Sequence, residues 1–114
     1  MKNETKTVFA CSGAADLGQI SDLAARKLHQ KGKSQMKCLA FVGAGITEMI
    51  DSVKGTRMLV IDGCQLDCGK LTMERNEIKD FTHLRLTDIG YKKGETPVSD
   101  EIVNKISDYA ESLL

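Results

Sequence analysis

Cysteines stand at positions 11, 38, 64 and 68, the last two within the run Asp62-Gly63-Cys64-Gln65-Leu66-Asp67-Cys68-Gly69. Thiolates are metal ligands and nucleophiles, and the peptide N–H groups at a helix start favour them. The pattern predicts a strand ending just before Cys64 and a helix beginning there, running to about Asn76. Cys64 and Cys68 then share one face of its first turn, where residues four apart have Cβ atoms roughly 5–6 Å apart. A tetrahedral zinc with Zn–S near 2.3 Å needs sulfur atoms roughly 3.8 Å apart, within reach of that pair. Cys11, beyond an earlier strand, supplies a third thiolate. The plainer alternative is three small buried thiols packed under loops.

The elements that must position these residues follow from hydrophobic period and breakers. Thr7-Val8-Phe9-Ala10 is a short apolar run that reads as a buried strand, ending at Cys11-Ser12-Gly13. Asp16, three residues before Gln19, has capping spacing. Leu17, Ile20, Leu23, Ala24 and Leu28 continue at helical spacing to a left-handed stop at Gly32. Lys37-Cys38-Leu39-Ala40-Phe41-Val42 reads as a second strand, closed by a tight turn at Gly43-Ala44-Gly45. Ile46, Met49, Ile50 and Val53 mark a short helix stopped by Gly55.

Arg57-Met58-Leu59-Val60-Ile61 is apolar on both faces, as a central parallel strand should be. Leu66, Leu71 and Met73 fall inside the helix that follows. Leu84 and Leu86 alternate with His83, Arg85 and Thr87, a strand with one face more exposed. Thr96 and Pro97 open a last helix, with Ile102, Val103, Ile106, Tyr109, Ala110 and Leu113 facing the core. The expected fold is α/β: a small three-layer doubly wound domain over residues 1–114, its four-stranded parallel sheet in the order 2-1-3-4 with helices on both faces. Sites in such folds lie beyond the C-terminal strand ends, at the switch point between strands 1 and 3. That topology brings Cys11 and Cys64 together across fifty-two intervening residues.

The bulk composition narrows the function. Sixteen basic and sixteen acidic residues cancel, and Trp is absent, which argues against a nucleic-acid surface or a basic membrane patch. No apolar run approaches transmembrane length. The polar start, Met1 to Thr7, does not read as a signal peptide, and no apolar region precedes Cys11 to make a lipoprotein signal. The expected compartment is the cytosol, where clustered cysteines mean metal or redox chemistry more often than disulfides.

Cys38 opens the predicted second strand, about 16 Å from that strand's far end. This placement makes it a core thiol or a ligand in a different assembly. Yet Asp62-Gly63-Cys64 with Cys68 four on, together with Cys11-Ser12-Gly13-Ala14 and Cys38-Leu39-Ala40, resembles the DGC-domain family over nearly the whole chain. The resemblance implies zinc as cofactor, an assignment resting on cysteine pattern rather than on an established reaction. It also implies a ligand set of Cys11, Cys64, Cys68 and Cys38. Partners expected on this reading are a metal ion, with no nucleic acid and no membrane, and an unidentified protein or small thiol. Two rival chemistries use the same cysteines: a thiol–disulfide redox enzyme and an iron–sulfur carrier.

The remaining polar residues carry weaker signals. Asp62 reads as a turn residue accepting N–H bonds before it reads as a fourth ligand. Ser12 and Gly13, ahead of a helix, offer N–H groups to an anion or form a plain turn. No arginine occupies residues 12–18 to grip phosphate. His29 is expected to face solvent and His83 to fall at the opposite end of the sheet, leaving Cys11 without a general base. Tyr91, Lys92 and Lys93 follow strand 4 and overhang the site or form a solvated loop.

Overall fold

A computed structural model describes residues 5–114; residues 1–4, part of the polar start considered above for a leader, lie outside the described residues. Four parallel strands, β1 (Lys6–Ala10), β2 (Gln35–Met36), β3 (Arg57–Asp62) and β4 (Thr82–Arg85), form one sheet in the order β2-β1-β3-β4, as the crossover argument predicts. Helices α1 (Asp16–Gln30) and α5 (Asp100–Ser112) cover one face, and α2 (Leu39–Gly43), α3 (Thr47–Val53) and α4 (Cys68–Arg75) cover the other.

Period-two alternation divides the core. Val8, Ala10, Leu59, Ile61, Leu84 and Leu86 join Leu17, Ile20, Leu28, Val103 and Ile106 in one cluster. Phe9, Met58 and Val60 turn the other way, onto Phe41, Val42, Val53 and Met73. A central strand buried on both faces has no polar side to present, which is why 58–61 reads as a continuous apolar run. Gly32 and Gly55 end their elements with φ of 71° and 84°, the left-handed region that glycine enters at little cost.

The second strand departs from expectation. Residues 39–43 are helix, and pairing with β1 is limited to Gln35 and Met36, extended by the Lys37 N–H donating to the Val8 carbonyl at 2.9 Å. A short apolar run fits a buried helix as well as a buried strand. Here tertiary packing decides, because the helical turn sets Phe41 edge-on to Phe9, with ring centroids 6.0 Å apart. Cys38 therefore follows the end of its strand instead of opening it.

Other boundaries shift too. The last helix is capped by Ser99, whose hydroxyl accepts the Ile102 N–H, and not by Thr96; Tyr109 is exposed. Ile46 and Met49 are exposed on or beside α3. Asp16 is the first residue of α1 and no cap. Its carboxylate accepts N–H bonds from Leu17, Gly94 and Thr96, tying the 92–96 loop to the start of α1.

The loop after β1 lies directly across the first turn of α1. A Cβ at Gly18 would stand 2.6 Å from the Gly13 nitrogen and 2.8 Å from its Cα. Alanine in a helix interior normally stabilises by about 1 kcal/mol relative to glycine. At this position the sign reverses: Gly18→Ala should destabilise by about 1–3 kcal/mol, since backbone must move to admit the methyl. Urea denaturation of the two proteins checks this, and a stabilised variant would show that the loop does not pack as described.

Candidate metal centre

Asp62 closes the otherwise apolar β3, with only 1% of its side chain exposed. A carboxylate so buried must be matched by hydrogen bonds or opposite charge. It accepts the N–H groups of Gly69 at 2.7 Å and Lys70 at 2.9 Å, and the Nε2–H of His83 at 2.8 Å. Burial alone would push Asp62 up, but the His83 bond and the two peptide N–H groups outweigh it and hold the carboxyl below its ordinary value.

The two peptide groups belong to the first turn of α4, so Asp62 caps that helix from the neighbouring strand. Local capping is closed off. Asp67, at the N-cap, has φ 55° and ψ 42°, and its side chain makes no capping bond. Asp tolerates this left-handed geometry better than most residues. The Asp67 carboxylate turns instead to Arg85, which grips it with Nε at 2.8 Å and Nη2 at 2.5 Å. That fork holds the Asp67 carboxyl below its ordinary value and raises the Arg85 guanidinium. The fit is tight at Gly69 as well, where a Cβ would stand 2.8 Å from both Asp62 Oδ1 and Val60 Cγ1.

The turn function expected of Asp62 is thus present as a helix cap. His83 was expected at the far end of the sheet. It lies level with Val60 in β4, close enough for its imidazole to reach Asp62. The alternation His83, Leu84, Arg85 was read correctly, but the polar face carries this network instead of facing solvent. The sequence signal that could have found it is an acid ending a wholly apolar strand, which needs a basic partner at the same level.

The cysteines share one end of the sheet. The Cys11 N–H extends the ladder to the Ile61 carbonyl at 3.0 Å, and Cys11 Sγ accepts the Gly63 N–H at 3.2 Å. Cys11 is half-buried, and burial pushes its thiol up, with the Asp62 charge adding to the rise and the Gly63 N–H opposing it. Burial here works against the thiolate, the form that an activated nucleophile needs. Cys64 is half-buried in the loop after β3, with Lys93 Nζ 3.9 Å from its sulfur, so the 91–93 segment does overhang this end. Cys68 is exposed on the first residue of α4. The helix starts there and not at Cys64, so the two cysteines do not share a helical turn; Leu66 lies in the loop between them and is 62% exposed.

Cys38 gains most from the altered second strand. Val8 pairs with Met36 and the Lys37 N–H reaches the Val8 carbonyl, so Cys38 leaves the sheet beyond the C-terminal end of β2, the same end that Cys11 leaves from β1. It is exposed at the start of α2. All four thiols are free. The group of ligand atoms within 4.8 Å of one another, among the described residues, is Asp62, Asp67 and His83, a set that could hold a metal ion; the sulfurs ring the rim more widely. His29, exposed as expected, accepts the Met36 N–H at its Nδ1.

The wound sheet and the cysteines at its rim define the class, and sequence comparison agrees. The DGC domain model matches residues 7–109, so the chain belongs to the DGC domain family. It is 33% identical over 87 residues to the anaerobic and virulence modulator AnvM of Pseudomonas aeruginosa, an alignment covering 75% of this chain and 66% of that relative's length. No solved structure matches. Among the described residues no helix is long and apolar enough to cross a membrane.

The three depressed aspartates, Asp16, Asp62 and Asp67, make acid stability a test of this network. A carboxyl whose folded pKa lies below its unfolded value contributes stability above the unfolded value, about 3.9, that is lost as pH falls through the folded one. Urea midpoints should hold level down to about pH 4 and then fall. Arg85→Gln should lower the urea midpoint at neutral pH and show a shallower acid fall, because Asp67 then titrates nearer its ordinary value. An unchanged acid slope would mean that the fork does not govern Asp67.

Proposed function

We propose that this protein binds zinc through cysteine thiolates, with Cys11, Cys64, Cys68 and Cys38 as the ligand set. The observation that carries this reading is the β1–β2 register, which sets Cys38 at the same sheet end as the other three. Four free thiols are a soft donor set suited to zinc. Asp62, His83 and the Arg85–Asp67 fork position the Cys64–Cys68 loop instead of serving as ligands. Arg85 already occupies the Asp67 carboxylate, and two peptide N–H groups occupy Asp62. Because the sulfurs stand wider than a tetrahedral site, metal binding would draw the 63–68 loop and Cys38 inward. The metal, once held, would act as a structural clamp or a Lewis acid according to whether its fourth position is closed.

Cys11 must lose its proton on binding, so affinity rises with pH. A relative named as an anaerobic and virulence modulator is compatible with a thiolate centre, since oxidation of the sulfurs removes the ligands.

Protein prepared without oxygen should carry about one zinc per chain by elemental analysis, and chelator should lower its melting temperature by mass action. Cys11→Ser and Cys64→Ser should lose the metal, while His83→Gln should retain it. Retention in both serine variants with loss in His83→Gln would transfer the site to the Asp62, Asp67 and His83 group. Metal-free protein with a melting curve indifferent to chelator would reject both.

A further inference from the structure

A pocket of about 700 Å³ opens beside the cysteine rim, between α1, the end of β2 and α2. Its size falls within the range of small-molecule sites. It exists because β2 stops after two residues: the chain leaves the sheet at Met36, turns into α2, and uncovers the side of β1 near Ala10.

The polar groups on its wall are arranged, not scattered. Ser12 Oγ–H donates to Asp22 Oδ1 at 2.8 Å, and Arg26 Nε donates to Asp22 Oδ2 at 2.7 Å. Asp22 is thereby matched, and the Arg26 guanidinium is anchored through Nε, its terminal nitrogens making no bond among the described residues. The Met36 N–H occupies His29 Nδ1, so the neutral ring carries its proton on Nε2 and offers a donor at its other edge. Lys37 also lines the pocket, and among the described residues its ammonium has no acidic partner. The balance is one unmatched positive charge with further donors, beside an apolar wall of Ala10, Met36, Leu39 and Ala40.

We propose that this pocket binds a small organic anion with an apolar body, a carboxylate in the first instance. The anionic head meets Lys37, Arg26 and His29, and the body lies along Met36 and Leu39. Cys38 is on the same wall, so the bound molecule lies against one thiol of the rim; Cys11, Cys64 and Cys68 do not line the pocket. The inference therefore stands whether or not the thiolates hold zinc.

The test uses hexanoate on the full chain as purified, followed by backbone amide shifts. Saturable shifts should cluster at residues 26–30 and 36–40, and hexylammonium, with the same body and opposite charge, should bind at least tenfold more weakly. Lys37→Ala and Arg26→Ala should each weaken hexanoate at least fivefold. Lys37 makes no side-chain bond among the described residues, so its variant keeps the fold, and an unshifted melting temperature verifies that. Equal binding of hexylammonium, affinity unchanged in folded Lys37→Ala, or shifts that do not saturate would each overturn the proposal. Metal content measured on the same samples reads the zinc assignment separately.

Discussion

A single buried carboxylate organises the functional end of this molecule. Asp62 terminates the central strand where an apolar residue would continue the pattern, and the cost of burying its charge is offset only by what surrounds it. Those partners are the peptide groups opening α4 and the His83 ring on the next strand. One interaction thus joins β3, α4 and β4, and the loop bearing Cys64 and Cys68 is strung between its two ends. Isolated helices of eight residues do not persist in water, so α4 depends on this cap and on Met73 buried beneath it.

The wound topology accounts for the rest of the rim. Parallel strands all deliver their following loops to one end, so residues remote in sequence meet there without any specific attraction between them. Two polar ties then restrict those loops. Asp16 draws the 92–96 segment over the start of α1, which carries Lys93 to Cys64; Arg85 fixes Asp67 at the head of α4. Both ties link separate elements, and among the described residues neither the Cys38 nor the Cys68 sulfur is engaged by a side-chain hydrogen bond.

Most of the architecture was legible from residue pattern because β1, β3 and their covering helices have periods that match their burial. The strands read at 7–10 and 57–61, each one residue short of its observed extent, the stops at Gly32 and Gly55, and the sheet order follow from apolar runs and crossover handedness. Two regions were not legible, each for a physical reason. Residues 38–42 are apolar over too short a stretch for period to separate helix from strand, and the true strand, Gln35–Met36, is only two residues long. The level of His83 depends on the register between β3 and β4, in which Val60 pairs with His83, and that pairing between remote segments cannot be read from β4 alone. Both regions carry candidate site residues, Cys38 and His83, because strand ends are where a small slippage moves a side chain from the core to the rim.

The corrected second strand has a consequence for both proposed sites. Had β2 run through Val42, it would have covered β1 to its end and placed Cys38 at the opposite pole. Ending at Met36, it releases Cys38 to the rim and leaves the side of β1 open as a pocket. The two half-buried thiols, Cys11 and Cys64, are held by peptide hydrogen bonding and by a lysine contact, while the two exposed ones, Cys38 and Cys68, begin short helices. On the zinc reading proposed above, the two exposed thiols would have to close on the two half-buried ones, and part of the binding free energy would be spent in moving α2 and the 63–68 loop. The pocket wall at Cys38 would tighten with the same movement, which couples a molecule bound there to the state of the thiolates through one short helix.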